Sequence, residues 1–148
     1  MEVSLKRATI KDIPKLIEIE KKLDGSKIYS AMISEKEWQE EINKENARVY
    51  LIIKDGVVVG DVSYETESES ATIAGLAISP EFQKMGVGQK TMEIILDELK
   101  DLKLINLLTH PENIGAVKLY QSLGFVIKDK KENYFGDGEP RILMLRIK

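Results

Sequence analysis

The stretch that decides the fold reads Ser70-Ala-Thr-Ile-Ala-Gly-Leu-Ala-Ile-Ser79, then Pro80-Glu-Phe-Gln-Lys-Met-Gly-Val-Gly88, and then Gln89 to Leu99. The first segment is β-branched and apolar and has the length of a buried strand. The second is a turn that contains two glycines. The third has the spacing of a helix, with one face formed by Val87, Thr91, Ile94, Ile95 and Leu99. The stretch therefore predicts a buried strand that passes through a loop into the start of a helix.

The predicted start of this helix is suited to binding an anion. The first turn of a helix leaves backbone N–H groups without intrahelical partners, and the helix dipole adds to their attraction for negative charge. Gly86 and Gly88 would let the backbone approach a phosphate or pyrophosphate closely. The alternative is a tight loop that needs glycine only for its turn. Thr91 excludes the dinucleotide-binding G-x-G-x-x-G pattern, and no P-loop sequence is present.

The composition is that of a single globular domain spanning residues 1–148. The chain has a net charge of -3 and no basic stripe, which argues against nucleic-acid binding. It has no cysteine, and so no disulfide, thiolate metal site or cysteine nucleophile; we expect no metal. Because Met1 to Arg7 lacks the apolar segment of a signal peptide and no run approaches the ~20 residues of a membrane helix, we expect a cytoplasmic protein without a membrane partner.

Strand and helix patterns extend outward from the central stretch on both sides. Before it, the sequence predicts a strand from Val3 to Ala8, a helix to about Leu23, a helix beginning after Ser34, and strands Val49 to Ile53 and Val57 to Glu65, followed by a polar turn, Thr66 to Glu69. After it come a strand from Leu104 to Thr109, a helix from Asn113 to Leu123 ended by Gly124, and strands Phe125 to Lys130 and Arg141 to Ile147. The prediction is an α/β fold: a mixed sheet flanked by helices on both faces, with local parallel pairing around the central helix.

Two motifs resemble those of a known enzyme family. Gln83-x-x-Gly86-x-Gly88 after the strand is similar to the acetyl-CoA-binding motif of the GNAT superfamily of N-acetyltransferases. Asn113-x-x-Ala116-x-x-Leu119-Tyr120-x-x-x-Gly124-Phe125 resembles the second motif of that family. The resemblance spans residues 3 to 147 and is closest to the branch that acetylates protein N-terminal α-amines, the ribosomal-protein and Naa-type enzymes. It implies a mostly antiparallel sheet with one splayed parallel pair, and acetyl-CoA as cosubstrate.

The resemblance also assigns roles to residues. Main-chain groups at the end of the central strand would bind the pantetheine arm and polarise the carbonyl, at Leu76, Ala77 and Ile78. The loop and first helical turn would hold the pyrophosphate through Gln83, Lys84, Met85, Gly86, Val87, Gly88 and Gln89. Asn113 would contact the cofactor arm, although Asn is also a favoured helix cap. Tyr120 would be the general acid that protonates the departing CoA sulfur; the alternative is a core tyrosine on an apolar stripe.

The general base is where the sequence departs from the family. Leu108 occupies the position on the strand where an N-terminal acetyltransferase often has glutamate or histidine, and Ile73 stands near the glutamate position of histone-type members. His110 is the only histidine, and at a strand-end turn we expect it to be exposed rather than to act as the base. Glu65, Glu67, Glu69 and Glu112 could act through water, although each is expected to be solvated.

The missing base favours an α-amine acceptor. An α-amino group has a pKa of roughly 8, so on the order of a tenth is neutral at pH 7, against about a thousandth or less for lysine. Tyr29 and Tyr134, on the loops at 24–33 and 132–140, are expected to contact the acceptor. Attack would be direct, in a ternary complex, by a monomer or homodimer. The alternatives are a small-molecule amine acetyltransferase acting on a polyamine, amino acid or antibiotic, and a catalytically weak CoA-binding module.

Overall fold

The structure is a computed structural model that describes residues 1–148. Seven strands and four α-helices follow one another in the order β1 (Val3–Arg7), α1 (Ile13–Lys21), α2 (Glu35–Asn43), β2 (Ala47–Lys54), β3 (Val57–Glu67), β4 (Ser70–Ile78), α3 (Val87–Glu98), β5 (Leu104–Thr109), α4 (Ile114–Ser122), β6 (Val126–Lys131) and β7 (Arg141–Ile147). All the predicted elements are present. None of the four helices combines the length and the apolar character needed to cross a bilayer.

The strands form one sheet in the order β1-β2-β3-β4-β5-β7-β6. Every neighbouring pair is antiparallel except β4 and β5, which are parallel. The connection between these two strands is α3, as a parallel pair requires a long crossover. The predicted mixed, mostly antiparallel sheet is therefore confirmed.

Helices cover both faces of the sheet, as the sequence predicted. On one face, α3 and α4 pack through residues such as Met92, Ile95 and Tyr120 against the buried side of the central strands. On the other face, α1 and α2 pack through Leu16 and Trp38 in a second apolar cluster. Neighbouring residues of a strand point to opposite faces, so one strand can serve both clusters.

The helix starts follow their local sequence. The backbone N–H of Thr9 is a donor to the Asp12 carboxylate at 2.8 Å, which closes a single 3-10 turn before α1. The Ser34 hydroxyl accepts from the N–H of Glu37 at 3.3 Å and caps α2. The Asp12 carboxylate and the Ser34 hydroxyl thus accept hydrogen bonds from backbone N–H groups that would lack a partner at the start of a helix.

Two predicted features of the central hairpin differ from the structure. The polar turn is shorter than Thr66 to Glu69, because Thr66 and Glu67 pair with the start of β4 and only residues 68 and 69 turn. The central strand is not buried throughout: Ala71, Ile73 and Ala77 are buried, whereas Thr72 and Ala74 are exposed. The apolar composition of β4 concealed this alternation.

Candidate functional site

The parallel pair of strands separates halfway along its length. β4 pairs with β5 only from Ser70 to Ile73, opposite Leu104 to Leu107, although β4 continues to Ile78. The pairing with β3 shifts at the same place, where Ser63 lies opposite Gly75 and Tyr64 opposite Ile73, so that Ala74 is an extra residue in β4. The edge of β4 beyond Ile73 therefore offers main-chain groups that β5 does not satisfy. Such an edge can bind an extended amide-containing ligand.

The N-terminus of α3 lies at the end of β4 and is free of side-chain caps. Lys84 and Gly86 have φ values of 63° and 85°, in the left-handed region, and Gly86 is the N-cap residue. The first backbone bond of the helix runs from the Lys90 N–H to the Gly86 carbonyl, so the preceding N–H groups have no intrahelical partner. The Gln83 side-chain amide is a donor to the Ile78 carbonyl at 2.8 Å and holds the loop against the strand end. This geometry suits a phosphate or diphosphate.

One cavity of about 1230 Å³ joins the helix N-terminus to the separated strands and continues to the face of α1 and α2. Of the residues that the sequence singled out, it is lined by Tyr29, Leu76, Ile78, Gln83, Lys84, Gly86, Val87, Gly88, Gln89, Asn113 and Tyr120. The cavity therefore passes from one face of the sheet to the other through the gap between β4 and β5.

Three of the predicted site residues do not line the cavity. Ala77 is buried in the apolar cluster under α1, which leaves only its main chain for a ligand. Met85 and Tyr134 are about half exposed, at 51% and 48%. The Tyr134 ring packs edge-on against Phe135 at 4.9 Å between centroids, and it is Phe135 that lines the cavity.

Tyr120 lies on α4, where the cavity passes between the strands. Its ring is buried and packs against Phe125 with the centroids 5.8 Å apart. Burial raises the pKa of its hydroxyl to about 12. The phenol is therefore protonated at neutral pH and can donate a proton or hydrogen bond into the cavity. Asn113 caps α4, since its side-chain oxygen accepts from the N–H of Ala116 at 3.4 Å.

Two buried carboxyl groups lie at the far end of the cavity, and the sequence analysis missed both. Glu20 on α1 is 2% exposed and Asp61 on β3 is 1% exposed, and both line the cavity. The Tyr29 hydroxyl is a donor to the two oxygens of Glu20 at 3.0 and 3.2 Å, and the Met32 N–H is a donor to the same carboxylate at 2.9 Å. Burial and the neighbouring charge of Glu20 hold the pKa of Asp61 well above its usual range.

A signal for this pair was present in the sequence. Glu20 follows Ile13 and Leu16 at the spacing of one helix face, so an acidic residue stands within the apolar stripe of α1. Asp61 likewise interrupts the apolar run of β3. A charged residue at a buried position is rare unless it is paired or functional.

A second acidic group lines the wall beside α2. Glu37, Glu41 and Glu65 face the cavity. The Lys44 ammonium lies 3.2 Å from both Glu41 and Glu65. Burial and the proximity of Glu65 raise the pKa of Glu41 to about 6, while the hydrogen bond with Glu41 lowers the pKa of Glu65. One Glu41 oxygen is buried without a hydrogen-bond partner, so this wall can accept a further hydrogen bond from a ligand.

His110 is fully buried, which corrects the expectation of an exposed turn histidine. The Glu112 N–H is a donor to its Nδ1 at 3.0 Å, so its Nε2 carries the hydrogen that points to the Glu139 carboxylate, 2.7 Å away. With both ring nitrogens engaged, His110 links the loop before β7 to the end of β5. Leu108 lines the cavity with an apolar side chain. The structure thus brings no base to the position that Leu108 occupies.

Comparison with known proteins gives the same fold and a family. A model of the acetyltransferase (GNAT) family matches residues 14–125. A [ribosomal protein bS18]-alanine N-acetyltransferase of Salmonella typhimurium is 33% identical over 69 residues, 45% of this chain and 47% of that protein. The chain spans about half the length or less of the curated relatives that it first matches.

Two solved structures superpose on nearly the whole chain. A spermidine N-acetyltransferase SpeG chimera from Vibrio cholerae and hSSAT gives a TM-score of 0.83 at 20% identity, covering 99% of this chain and 96% of that one. The PaiA N-acetyltransferase from Thermoplasma acidophilum, solved with coenzyme A, gives 0.80 at 19% identity with full coverage of both. The family match extends over more than half of the sequence and includes β4, the α3 N-terminus and α4. The chain therefore belongs to the GNAT acetyltransferase family.

Proposed function

We propose that the chain transfers an acetyl group from acetyl-CoA to a primary amine, with a protein or peptide N-terminal α-amine as the leading acceptor. The observation that carries this proposal is the single cavity that begins at an uncapped helix N-terminus and crosses the sheet between β4 and β5. A donor on one face of the sheet and an acceptor on the other would meet at that gap. Family membership supports the reaction class.

The residues of the cavity fit coenzyme A. Its diphosphate would lie against the N–H groups at 84–89, where Gly86 adopts the left-handed conformation and no side chain caps the helix. Its amide-containing arm would add to the free edge of β4 at Leu76 to Ile78, as a strand adds to a sheet. When bound, acetyl-CoA supplies a thioester carbonyl that a neutral amine can attack.

Tyr120 is the proposed general acid. Tyr120 lines the cavity, its hydroxyl stays protonated at neutral pH, and its ring packs against Phe125. A thiolate that leaves beside it would take its proton or accept its hydrogen bond. Because the chain has no cysteine, no cysteinyl acyl-enzyme can form, and we propose direct attack in a ternary complex.

The acceptor would enter from the face of α1 and α2. Tyr29 lines this end of the cavity, and Phe135 rather than Tyr134 lines it from the loop before β7. An α-ammonium loses its proton more readily than a lysine side chain, which suits a site where Leu108 replaces a base. The bS18-alanine acetyltransferase relative supports this acceptor class.

A second candidate is a small cationic amine such as a polyamine. The observation that favours it is the acidic wall of Glu37, Glu41 and Glu65, which could bind a second positive charge of the same acceptor. The superposition on a spermidine N-acetyltransferase is consistent with it. The catalytically weak CoA-binding module remains the outcome if no amine is acetylated.

A release assay separates these candidates. Free CoA thiol is measured from acetyl-CoA with short peptides of varied N-termini, with the same peptides blocked at the α-amine, and with spermidine and free amino acids. Release with free but not blocked peptides supports the leading proposal. Release only with small amines supports the second candidate. Bound CoA without release above background contradicts both.

A further inference from the structure

The buried Glu20–Asp61 pair lacks the positive partner that such a pair requires. Asp61 Oδ2 is inaccessible to solvent and has no hydrogen-bond partner in the protein. The charged group that acts on Asp61 is the carboxyl of Glu20, close enough to share a hydrogen bond with it, and two carboxyls can do so only through a proton. Buried charges are usually paired with an opposite charge. The pair therefore offers a site that a cation can occupy in place of the shared proton.

The pair is connected to the gap between the strands. Tyr29 hydrogen-bonds Glu20, and its hydroxyl lies 3.9 Å from the position of a Cβ added to Gly75, on the unpaired half of β4. In the β3–β4 pairing, Asp61 lies opposite Ala77. This pair is two residues along the strands from the pair of Ser63 and Gly75. Burial and the charges of Asp61 and Glu20 raise the pKa of the Tyr29 hydroxyl, with a further contribution from Tyr120. The two carboxyls, Tyr29 and Tyr120 all line the same cavity, and Tyr29 lies between the carboxyl pair and the half of β4 that β5 leaves unpaired.

We infer that the acceptor amine enters as an ammonium ion, docks on the Glu20–Asp61 pair in place of the proton that the two carboxyls share, and transfers a proton to Asp61 before it attacks. This inference rests on the proposed acetyl transfer and names the base that the sequence did not show. The ammonium would donate to the unpartnered Asp61 oxygen and offset the repulsion between the two carboxyls. Neutral amines and blocked N-termini would lack that attraction.

The proton balance is complete. An N–H bond of the ammonium breaks and an O–H bond forms on the Asp61 carboxylate, which leaves a neutral amine. The nitrogen lone pair forms the C–N bond to the acetyl carbon and the C–S bond breaks. The proton that the nitrogen then loses balances the one that Tyr120 gives to the sulfur. The proton that Asp61 gains restores the shared proton, which left to solvent when the ammonium docked. Each turnover thus releases one proton.

Two isosteric variants and one matched control test this inference. Asp61→Asn and Glu20→Gln each replace one buried carboxyl with an amide of the same shape. Glu45→Gln removes one exposed charge just before β2, outside the cavity, and serves as the control. The measurements are kcat/KM for a peptide with a free N-terminus from pH 6 to 10, and the affinity for acetyl-CoA.

For Asp61→Asn we expect kcat/KM to fall by about 10²–10³-fold at pH 7, within the range typical of a lost acid–base group. The deficit should shrink above pH ~8, where an α-amine deprotonates without help. Acetyl-CoA affinity and the Glu45→Gln kinetics should stay at wild-type values. Wild-type kcat/KM in Asp61→Asn, or an equal loss at every pH, would overturn the inference.

A binding measurement separates this inference from the proposed function. The CoA-saturated protein is titrated calorimetrically at pH 7 with the free peptide, its N-acetylated form and spermidine. We expect a free amine to bind wild-type protein and to bind Asp61→Asn at least tenfold more weakly. The same difference in amine binding is expected even if the wild-type protein shows no turnover. A lack of turnover would contradict only the proposed function. Equal binding of an amine to both proteins, or no amine binding to either, would refute the ammonium site.

Discussion

At the scale of single residues, Asp61 is a buried acid in a strand whose neighbouring residues are apolar. Nothing in the fold requires a carboxyl there, since the flanking residues of β3 are apolar and buried. Its elevated pKa means that the native protein retains a proton that the unfolded chain gives up. Between the ordinary pKa of Asp, about 4, and the raised native value, stability is therefore lost as the pH rises.

Asp61→Asn should therefore raise the stability of the protein while lowering its activity. Asn cannot ionise, and its amide can donate to Glu20, so Asp61→Asn should be more stable than wild type at neutral pH. Thermal unfolding should show a higher Tm for the variant, by at least about 2 °C at pH 8, since ~1 kcal/mol corresponds to roughly 2–4 °C in a domain of about this size. The Tm difference should narrow toward pH 4. A lower Tm at pH 8 would show that Asp61 is structural.

Tyr120 gives a second prediction at the residue scale. Tyr120→Phe keeps the ring that packs against Phe125 and removes only the hydroxyl. We expect kcat to fall by about 10²-fold, the lower end of the usual range for a general acid, with little change in acetyl-CoA affinity. Steady-state kinetics and calorimetric titration check this. Unchanged turnover would leave Tyr120 as a core residue.

At the scale of elements, the start of α3 is the feature that a ligand would use. Gly86→Asp places a negative charge among the free N–H groups, where a diphosphate would lie. Asp is a good N-cap, so the helix itself should persist in circular dichroism. Calorimetry should show acetyl-CoA affinity at least tenfold weaker than in Gly86→Ala, which shares the strain of φ +85° without the charge. Similar affinities in the two variants would locate the diphosphate elsewhere.

The hairpin of β3 and β4 depends on a different glycine. A Cβ at Gly60 would lie 2.1 Å from the Ala77 carbonyl oxygen, on backbone that cannot move aside without disturbing the sheet. Gly60→Ala should destabilise the protein by about 1–3 kcal/mol or more, as overpacking does.

The matched control for Gly60 is Gly115→Ala in α4, where an added Cβ meets nothing within 4 Å. That variant should be neutral or gain about 0.5–1 kcal/mol from helix propensity. Urea unfolding of both variants checks the pair of predictions. If Gly60→Ala were as stable as Gly115→Ala, β3 and β4 would have to move apart at Gly60 at little cost in free energy.

At the scale of the whole molecule, the order and type of the elements could be predicted from the sequence because local patterns determine them. The seven strands and four helices could be predicted from three kinds of local signal: the alternating or helical spacing of apolar residues, the Ser34 cap and the glycine turns. Tertiary relations were harder to predict. The burial of His110 depends on Glu139, which is 29 residues away along the chain.

The candidate site follows the same division. The α3 N-terminus is local in sequence, and its residues were identifiable from one motif. The carboxyl pair, in contrast, brings together residues of α1 and β3. The fold of the loop before β7 likewise decides that Phe135, and not the predicted Tyr134, lines the cavity. No spacing rule connects positions 20, 29 and 61. The only sequence signal was that Glu20 and Asp61 each place an acid within an otherwise apolar face.

A crystal structure of the protein with coenzyme A would test the proposed site most directly. We expect the diphosphate to contact the N–H groups at 84–89 and the arm to follow the free edge of β4. The sulfur should lie at the gap beside Tyr120, with the Glu20–Asp61 pair on the acceptor side. Coenzyme A bound away from α3, or a sulfur outside the gap between β4 and β5, would contradict it.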